Sequence, residues 1–192
     1  MTSARKVFKG SVSTFWRDRR GVSAIEFGIM APLYLFIMAG IVDLGGAVFT
    51  KMRIDSAITA ASAYTLTKGE AITESSATAL ATDLTNLIAG DLGVDGTTID
   101  VTVNHGPNIE MVGAHAKKSG TDANASLCFC PQRTGNVINW GSAKECGTSC
   151  PGGGVAGKFV SISVDKSYTP LFPMYRFMPE DPFSGLAVIQ AQ

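Results

Sequence analysis

The chain has 192 residues, of which 45% are hydrophobic and 17% are charged. This balance is typical of a folded protein with one domain and an accessory segment, and it excludes a disordered chain. The net charge is zero, but the residues before Gly21 carry about +5 and those after it about −5. The acidic main part argues against a nucleic-acid-binding surface.

A long apolar stretch follows the basic N-terminal segment. Residues 27–49 hold Asp43 as their only charged side chain, and at 1.5 Å per residue a helix of this length can cross a hydrocarbon layer of about 30 Å. A buried core helix is the alternative, but a helix that is apolar on every side would need a larger core than this chain can supply. The basic flank predicts a cytoplasmic N-terminus. We therefore expect a cytoplasmic leader at 1–21 and a transmembrane helix at 22–50.

Helical periodicity continues beyond the apolar stretch. The Ala-rich residues 51–68 extend the first helix outward, and a second helix is predicted at 71–89, with Thr67 and Glu70 capping its start. The apolar residues spaced for one face of the two helices are Met52, Ile54, Ala57, Ile58, Ala61, Leu66 and then Ala77, Leu80, Leu84, Leu87, Ile88.

Beyond residue 90 the hydrophobic pattern changes to a period of two, which predicts strands around 99–103 and 160–164 and a final strand at 184–192. With a short strand around 128–130, the total is three or four strands. They are expected to be antiparallel because no helical crossover separates them. Residues 107–124 are expected to form a long loop. The alternating apolar residues are Ile99, Val101, Val103, Val160, Ile162 and Val164.

Four cysteines, Cys128, Cys130, Cys146 and Cys150, fall within one short window and indicate either two disulfides or one zinc site. An exported domain would fold in an oxidising compartment, which favours disulfides, and the C-x-C and C-x3-C spacings are poor versions of a zinc knuckle. Cys128 and Cys130 would project from the same face of a strand, so each is expected to pair with one of the two later cysteines.

The predicted fold is therefore α+β. A long N-terminal transmembrane helix extends outward and is followed by a second helix and a small antiparallel sheet joined by two disulfides. The extracytoplasmic part divides into a helical region at 51–90 and a β-rich region at 91–192 that holds the disulfides. The aromatic and proline-rich residues 168–183 are expected to fold onto the sheet, with a subunit-facing patch as the alternative.

The most informative motif is RDRRGVSAIEF at residues 17–27, which resembles the processing site of type IV prepilins. In that family an aspartyl prepilin peptidase cleaves after the glycine, which here is the bond between Gly21 and Val22. The resemblance also implies that Glu26 pairs with the freed α-amine of Val22 in an adjoining subunit. Loss of either charge would strand the other in a low dielectric at a cost of about 3–5 kcal/mol. As the alternative, Glu26 marks the membrane boundary, where an acid favours the helix dipole.

A secretory signal peptide is the competing interpretation, since it also combines a basic and an apolar region. The apolar stretch is longer than the usual 7–15 residues of such signals, and no clear A-x-A site follows it. Prepilin processing would retain the apolar helix, whereas signal peptidase would remove it and release a soluble domain.

Residues 31–64 are similar to TadE-like sequences of the tight-adherence (Flp) pilus system. The similarity includes Pro32 shortly after the acid, Asp43 late in the span and an Ala-rich continuation, and it extends loosely to the C-terminal cysteines. Phe27 departs from the major Flp pilins, which carry Tyr there. Pro32 removes a backbone donor and is expected to kink or loosen the helix. Asp43 is expected near the outer interface or, with some preference, in a subunit contact.

The resemblance implies a minor pilin or pseudopilin that contributes to pilus assembly, surface adhesion and biofilm formation. It would be a single-pass protein of the bacterial inner membrane with a periplasmic C-terminal domain, and incorporation into the extracellular pilus is a further expectation. The implied partners are prepilin peptidase, the major Flp pilin and other pseudopilins, and the inner-membrane assembly platform.

Catalysis, a cofactor and a metal are not expected, because His105 and His115 lack a partnered nucleophile signature and are expected at the surface. The main alternative function is an uncleaved, membrane-anchored extracytoplasmic binding or adhesin domain.

Overall fold

A helix of 47 residues, α1 (Val22–Lys68), begins the part of the chain described by the computed structural model. That part comprises residues 21–68, 72–135, 137–172 and 182–191, so the basic leader lies outside it. The other elements are α2 (Ala77–Leu92), β1 (Thr97–Val103), β2 (Asn108–Val112), β3 (His115–Ser119), a 3₁₀ helix (Asp122–Ser126), β4 (Gln132–Thr134), β5 (Val137–Asn139), β6 (Lys158–Lys166) and β7 (Phe183–Ala191). This is the predicted α+β fold.

The chain divides into two units, Met1–Val42 and Asp43–Gln192, which are described separately. In the first unit, residues 21–42 are almost entirely exposed although most of them are apolar. Pro32 lies inside α1 and does not end it, since the helix continues on both sides of this residue. Within the described residues, α1 is the one helix that is long and apolar enough to cross a membrane.

The second unit is built on a five-stranded antiparallel sheet with the order β3-β2-β1-β6-β7. Burial alternates along β1, where Ile99, Val101 and Val103 face the core and the residues between them are partly exposed. The alternation follows from the strand period of two, and it confirms the predicted strands around 99–103 and 160–164.

The C-terminal part of α1 and the whole of α2 share one hydrophobic core with this sheet. Gly185 of β7 lets α1 approach closely, because a Cβ there would overlap Ile58 and lie 2.8 Å from Cγ2 of Ile54. The helical residues of the core are Ile54, Ala57, Ile58, Ala61, Ala77, Leu80, Ala81, Leu84, Ile88 and Leu92. Met52, Leu66 and Leu87, which were predicted to lie on the buried faces, are exposed.

The predicted bounds of the second helix are wrong. The helix begins at Ala77, because Thr73 and Ser76 form a turn in which the Thr73 N–H donates to Ser76 Oγ at 3.0 Å and the Ser76 N–H donates to Thr73 O at 3.2 Å. The Ala77 N–H also donates to Thr73 O at 3.0 Å, so this turn leads into the helix, and its side-chain bond supplies a partner for a backbone donor near the helix N-terminus. The cap predicted from Thr67 and Glu70 therefore does not start this helix, and Glu70 itself lies outside the described residues.

The predicted loop at 107–124 is also wrong, because it contains the β2–β3 hairpin and the start of the 3₁₀ helix. Every residue of β3 is exposed, so the strand carries no hydrophobic alternation. It is held by pairing instead, with Glu110 opposite Lys117. The strand predicted around 128–130 is replaced by isolated bridges.

Candidate assembly segment and the Asp43 clasp

The residues of the expected processing site lie at the start of α1. Val22 begins the helix and is exposed, as are Gly21 and Glu26. A Cβ at Gly21 would meet no atom within 4 Å. Val22 and Glu26 are four residues apart and thus lie on the same helical face. In this chain, the Glu26 carboxylate is therefore open to a partner.

Asp43 is the buried carboxylate of α1, with 3% of its surface exposed. Its Oδ1 accepts a hydrogen bond from the Leu171 N–H at 2.8 Å, and its Oδ2 accepts one from the Phe172 N–H at 3.0 Å. A buried carboxylate needs hydrogen-bond partners, and here each of its two oxygens accepts a hydrogen bond from a backbone N–H. This intrachain contact accounts for the burial of Asp43 without a second subunit.

Tyr168 adds a second attachment to the same turn of the helix. Its hydroxyl donates to the backbone oxygen of Asp43 at 2.9 Å. The ring lies over Gly46, where a Cβ would overlap the hydroxyl oxygen and lie 3.2 Å from Cζ. Burial of the hydroxyl, and then the negative charge of Asp43, raise the pKa of Tyr168 above its ordinary value. The five residues Asp43, Gly46, Tyr168, Leu171 and Phe172 are called the Asp43 clasp below.

Sequence reasoning singled out Asp43 and the segment at 168–183 but did not bring them together. It gave Gly46 no role, and it included Tyr168 only as the first residue of that segment. The signals were the Gly45-Gly46 pair two residues after the acid and an aromatic residue before the Thr-Pro-Leu-Phe phrase. Neither signal identifies a partner more than 120 residues away, because only the tertiary fold sets that contact. Of the segment 168–183, residues 173–181 lie outside the described part of the chain.

The four cysteines form two disulfides, as predicted, and the pairs are Cys128–Cys146 and Cys130–Cys150. The Cα–Cα distances are 5.2 and 5.6 Å, within the usual range. The two bonds are interleaved in sequence and close loops with separations of 18 and 20 residues. No His, Cys, Asp or Glu cluster among the described residues could hold a metal ion.

Comparison with known proteins gives one match. A family model described as TadE-like protein matches residues 21–62. No curated protein and no solved structure matches the chain. The match covers the start of α1, the apolar stretch and the first core-facing turns of the second unit. The sequence of residues 21–62 is therefore similar to that of TadE-like proteins, as predicted.

Proposed function

We propose that this protein is a minor pilin or pseudopilin of the Tad (Flp) pilus that α1 anchors in the bacterial inner membrane. The observation that carries the proposal is that the TadE-like match begins at Gly21 and covers an apolar helix with exposed side chains. A helix with so little of its apolar surface buried in its own chain needs another apolar environment. Lipid before assembly and neighbouring subunits in the pilus would both supply one.

Processing is the step that would convert the anchored precursor into a subunit. Cleavage between Gly21 and Val22 by prepilin peptidase would remove a segment with a charge of about +5 and leave a positive α-amine at the first residue of α1. The exposed carboxylate of Glu26 lies one helical turn further along. Pairing of this carboxylate with the α-amine of an adjoining subunit would set the axial register between the two helices.

The rest of the chain fits an extracytoplasmic location. The positive-inside bias of the leader supports a cytoplasmic N-terminus and a periplasmic second unit. Two disulfides are typical of proteins that fold in an oxidising compartment. The major Flp pilin, other pseudopilins and the inner-membrane assembly platform are the proposed partners, and pilus-dependent adhesion and biofilm formation are the proposed outcome.

The cleavage is tested by the intact mass and N-terminal sequence of membrane-extracted protein from cells with and without prepilin peptidase. We expect Val22 as the first residue only when the peptidase is present. Gly21→Val should abolish cleavage, because a bulky side chain replaces the small and flexible glycine at the position that must enter the protease cleft. Gly28→Val is the matched control, since a Cβ meets no atom within 4 Å at either glycine. Met1 as the first residue in the presence of peptidase would support the uncleaved anchor, and a start beyond Ala47 would support secretion.

The role of Glu26 is tested separately with Glu26→Gln in cells that make the pilus. The amide keeps the size of the side chain but not its charge, so cleavage should proceed while the amount of subunit in sheared pili falls. Normal incorporation of Glu26→Gln would contradict the proposed pairing even if the cleavage prediction holds.

A further inference from the structure

The Asp43 clasp presents two apolar side chains at the surface of the second unit. Leu171 is 71% exposed and Phe172 is 45% exposed. Their backbone N–H groups are nevertheless fixed, since both donate to the Asp43 carboxylate. An ordered turn with exposed apolar side chains indicates a surface that has a partner.

The position of the clasp along α1 identifies the environment of that surface. Lys51 is the first charged residue of α1 after Asp43, and it lies eight positions further along the helix, which corresponds to about 12 Å. The helix surface in this interval carries exposed apolar side chains, namely Leu44, Val48 and Phe49. The clasp therefore lies on the apolar side of the point where α1 becomes charged.

Irregular backbone is costly near lipid unless its polar groups have partners. In the clasp, the two N–H groups at Leu171 and Phe172 are bonded to the carboxylate, and the Tyr168 hydroxyl is bonded to the helix. An acid in an apolar stretch is itself costly unless it is paired. The contact thus lowers both costs at once and gives Asp43 a specific role.

We propose that the clasp is a lipid-contacting element in which Leu171 and Phe172 enter the headgroup region of the outer leaflet of the membrane that α1 crosses. The inference rests on the membrane anchoring in the proposed function. Lipid is favoured as the occupant because the clasp binds α1 at Asp43, and the exposed residues of α1 between Asp43 and Lys51 include the apolar Leu44, Val48 and Phe49. Burial of such side chains by about 5–10 Å at the boundary is usual for interfacial elements.

The test uses the full-length protein in lipid nanodiscs with single added cysteines, each carrying a small fluorophore. All four native cysteines are in disulfides, so only the added thiol reacts. The sites are Leu171→Cys, Val137→Cys in β5 as a control with a similar exposure of 69%, and Leu35→Cys in the apolar stretch. Quenching is measured with lipids that carry a nitroxide near the headgroup or deep in the acyl chain.

We expect headgroup-level nitroxide to quench the fluorophore at residue 171 several-fold more than the one at residue 137, and deep nitroxide to quench the one at residue 35. Asp43→Ala should abolish the quenching at residue 171, whereas Gly45→Ala should leave it unchanged. Quenching at residue 35 but not at residue 171 would overturn this inference alone. If the fluorescence at residue 171 instead changes with protein concentration and does not respond to the nitroxide, the surface contacts another subunit. This result would also overturn the proposed lipid contact. Absence of quenching at residue 35 would overturn the membrane anchoring itself.

Discussion

Two adjacent glycines of α1 allow a sharp test of the Asp43 clasp. A Cβ at Gly46 would overlap the Tyr168 hydroxyl, whereas a Cβ at Gly45 would meet no atom within 4 Å. Gly→Ala changes the helix propensity by a similar amount at both positions, about 1 kcal/mol. The difference in stability between Gly46→Ala and Gly45→Ala therefore isolates the contact with Tyr168.

The expected difference follows from the contacts that the added methyl group disturbs. The Tyr168 ring must move away, which loses the hydrogen bond of 2.9 Å to the Asp43 oxygen. Such a bond contributes about 0.5–1.5 kcal/mol, and an overpacked contact costs about 1–3 kcal/mol in all. At about 2–4 °C per kcal/mol for a chain of this size, Gly46→Ala should unfold roughly 2–12 °C below Gly45→Ala.

The measurement is thermal unfolding of the full-length protein in detergent micelles, followed by near-ultraviolet circular dichroism. Tyr168→Phe supplies the second arm of a double-mutant cycle, because the atom that overlaps the new methyl group is the hydroxyl oxygen. Gly46→Ala should therefore cost less free energy of unfolding in the Tyr168→Phe background. Equal midpoints for the two alanine variants, or an unchanged penalty in that background, would refute the reasoning.

Three further predictions concern the second unit. Gly185→Ala should lower the free energy of unfolding by about 1–3 kcal/mol, since its Cβ would lie 2.8 Å from Ile54 Cγ2. A denaturant midpoint equal to that of the wild type would contradict the close packing of α1 on β7. Replacing the Cys130–Cys150 pair by serines should lower the free energy of unfolding by about 3 kcal/mol in denaturant, because the loop of 20 residues is no longer closed in the unfolded state. Peptide mapping that gives other cysteine pairs would contradict the connectivity. Because burial and then Asp43 raise the pKa of Tyr168 in the folded state, its contribution to stability is full below the unfolded pKa and is lost as the pH rises through the folded one. Tyrosinate absorbance should therefore show a late-titrating group that is missing in Tyr168→Phe, and superimposable titrations would contradict this.

Local periodicity predicted much of the fold correctly. The apolar residues 27–49 and the Ala-rich residues after them form one helix, which continues through Pro32 and ends at Lys68. The alternation around Val101 and Ile162 marks strands whose one face is buried. The compartment implied by the leader favoured disulfides over zinc, and the structure contains disulfides.

Periodicity failed where an element is held by something other than burial. β3 has no buried residue and exists because its backbone pairs with β2. The start of α2 depends on hydrogen bonds between Thr73 and Ser76 in the turn that leads into the helix. Such elements carry no hydrophobic signal, so the sequence alone predicted a loop and an earlier helix start.

The sequence by itself determined the apolar helix, the position of Glu26 one turn after Val22, and the family resemblance, because each of these depends on neighbours along the chain. Only the tertiary structure decided which cysteines pair and where the Asp43 carboxylate finds its donors. Those donors, at Leu171 and Phe172, are backbone groups that any residue except proline could supply. Backbone donors leave no mark in a sequence pattern, so the contact becomes visible only once the fold has brought the two segments together.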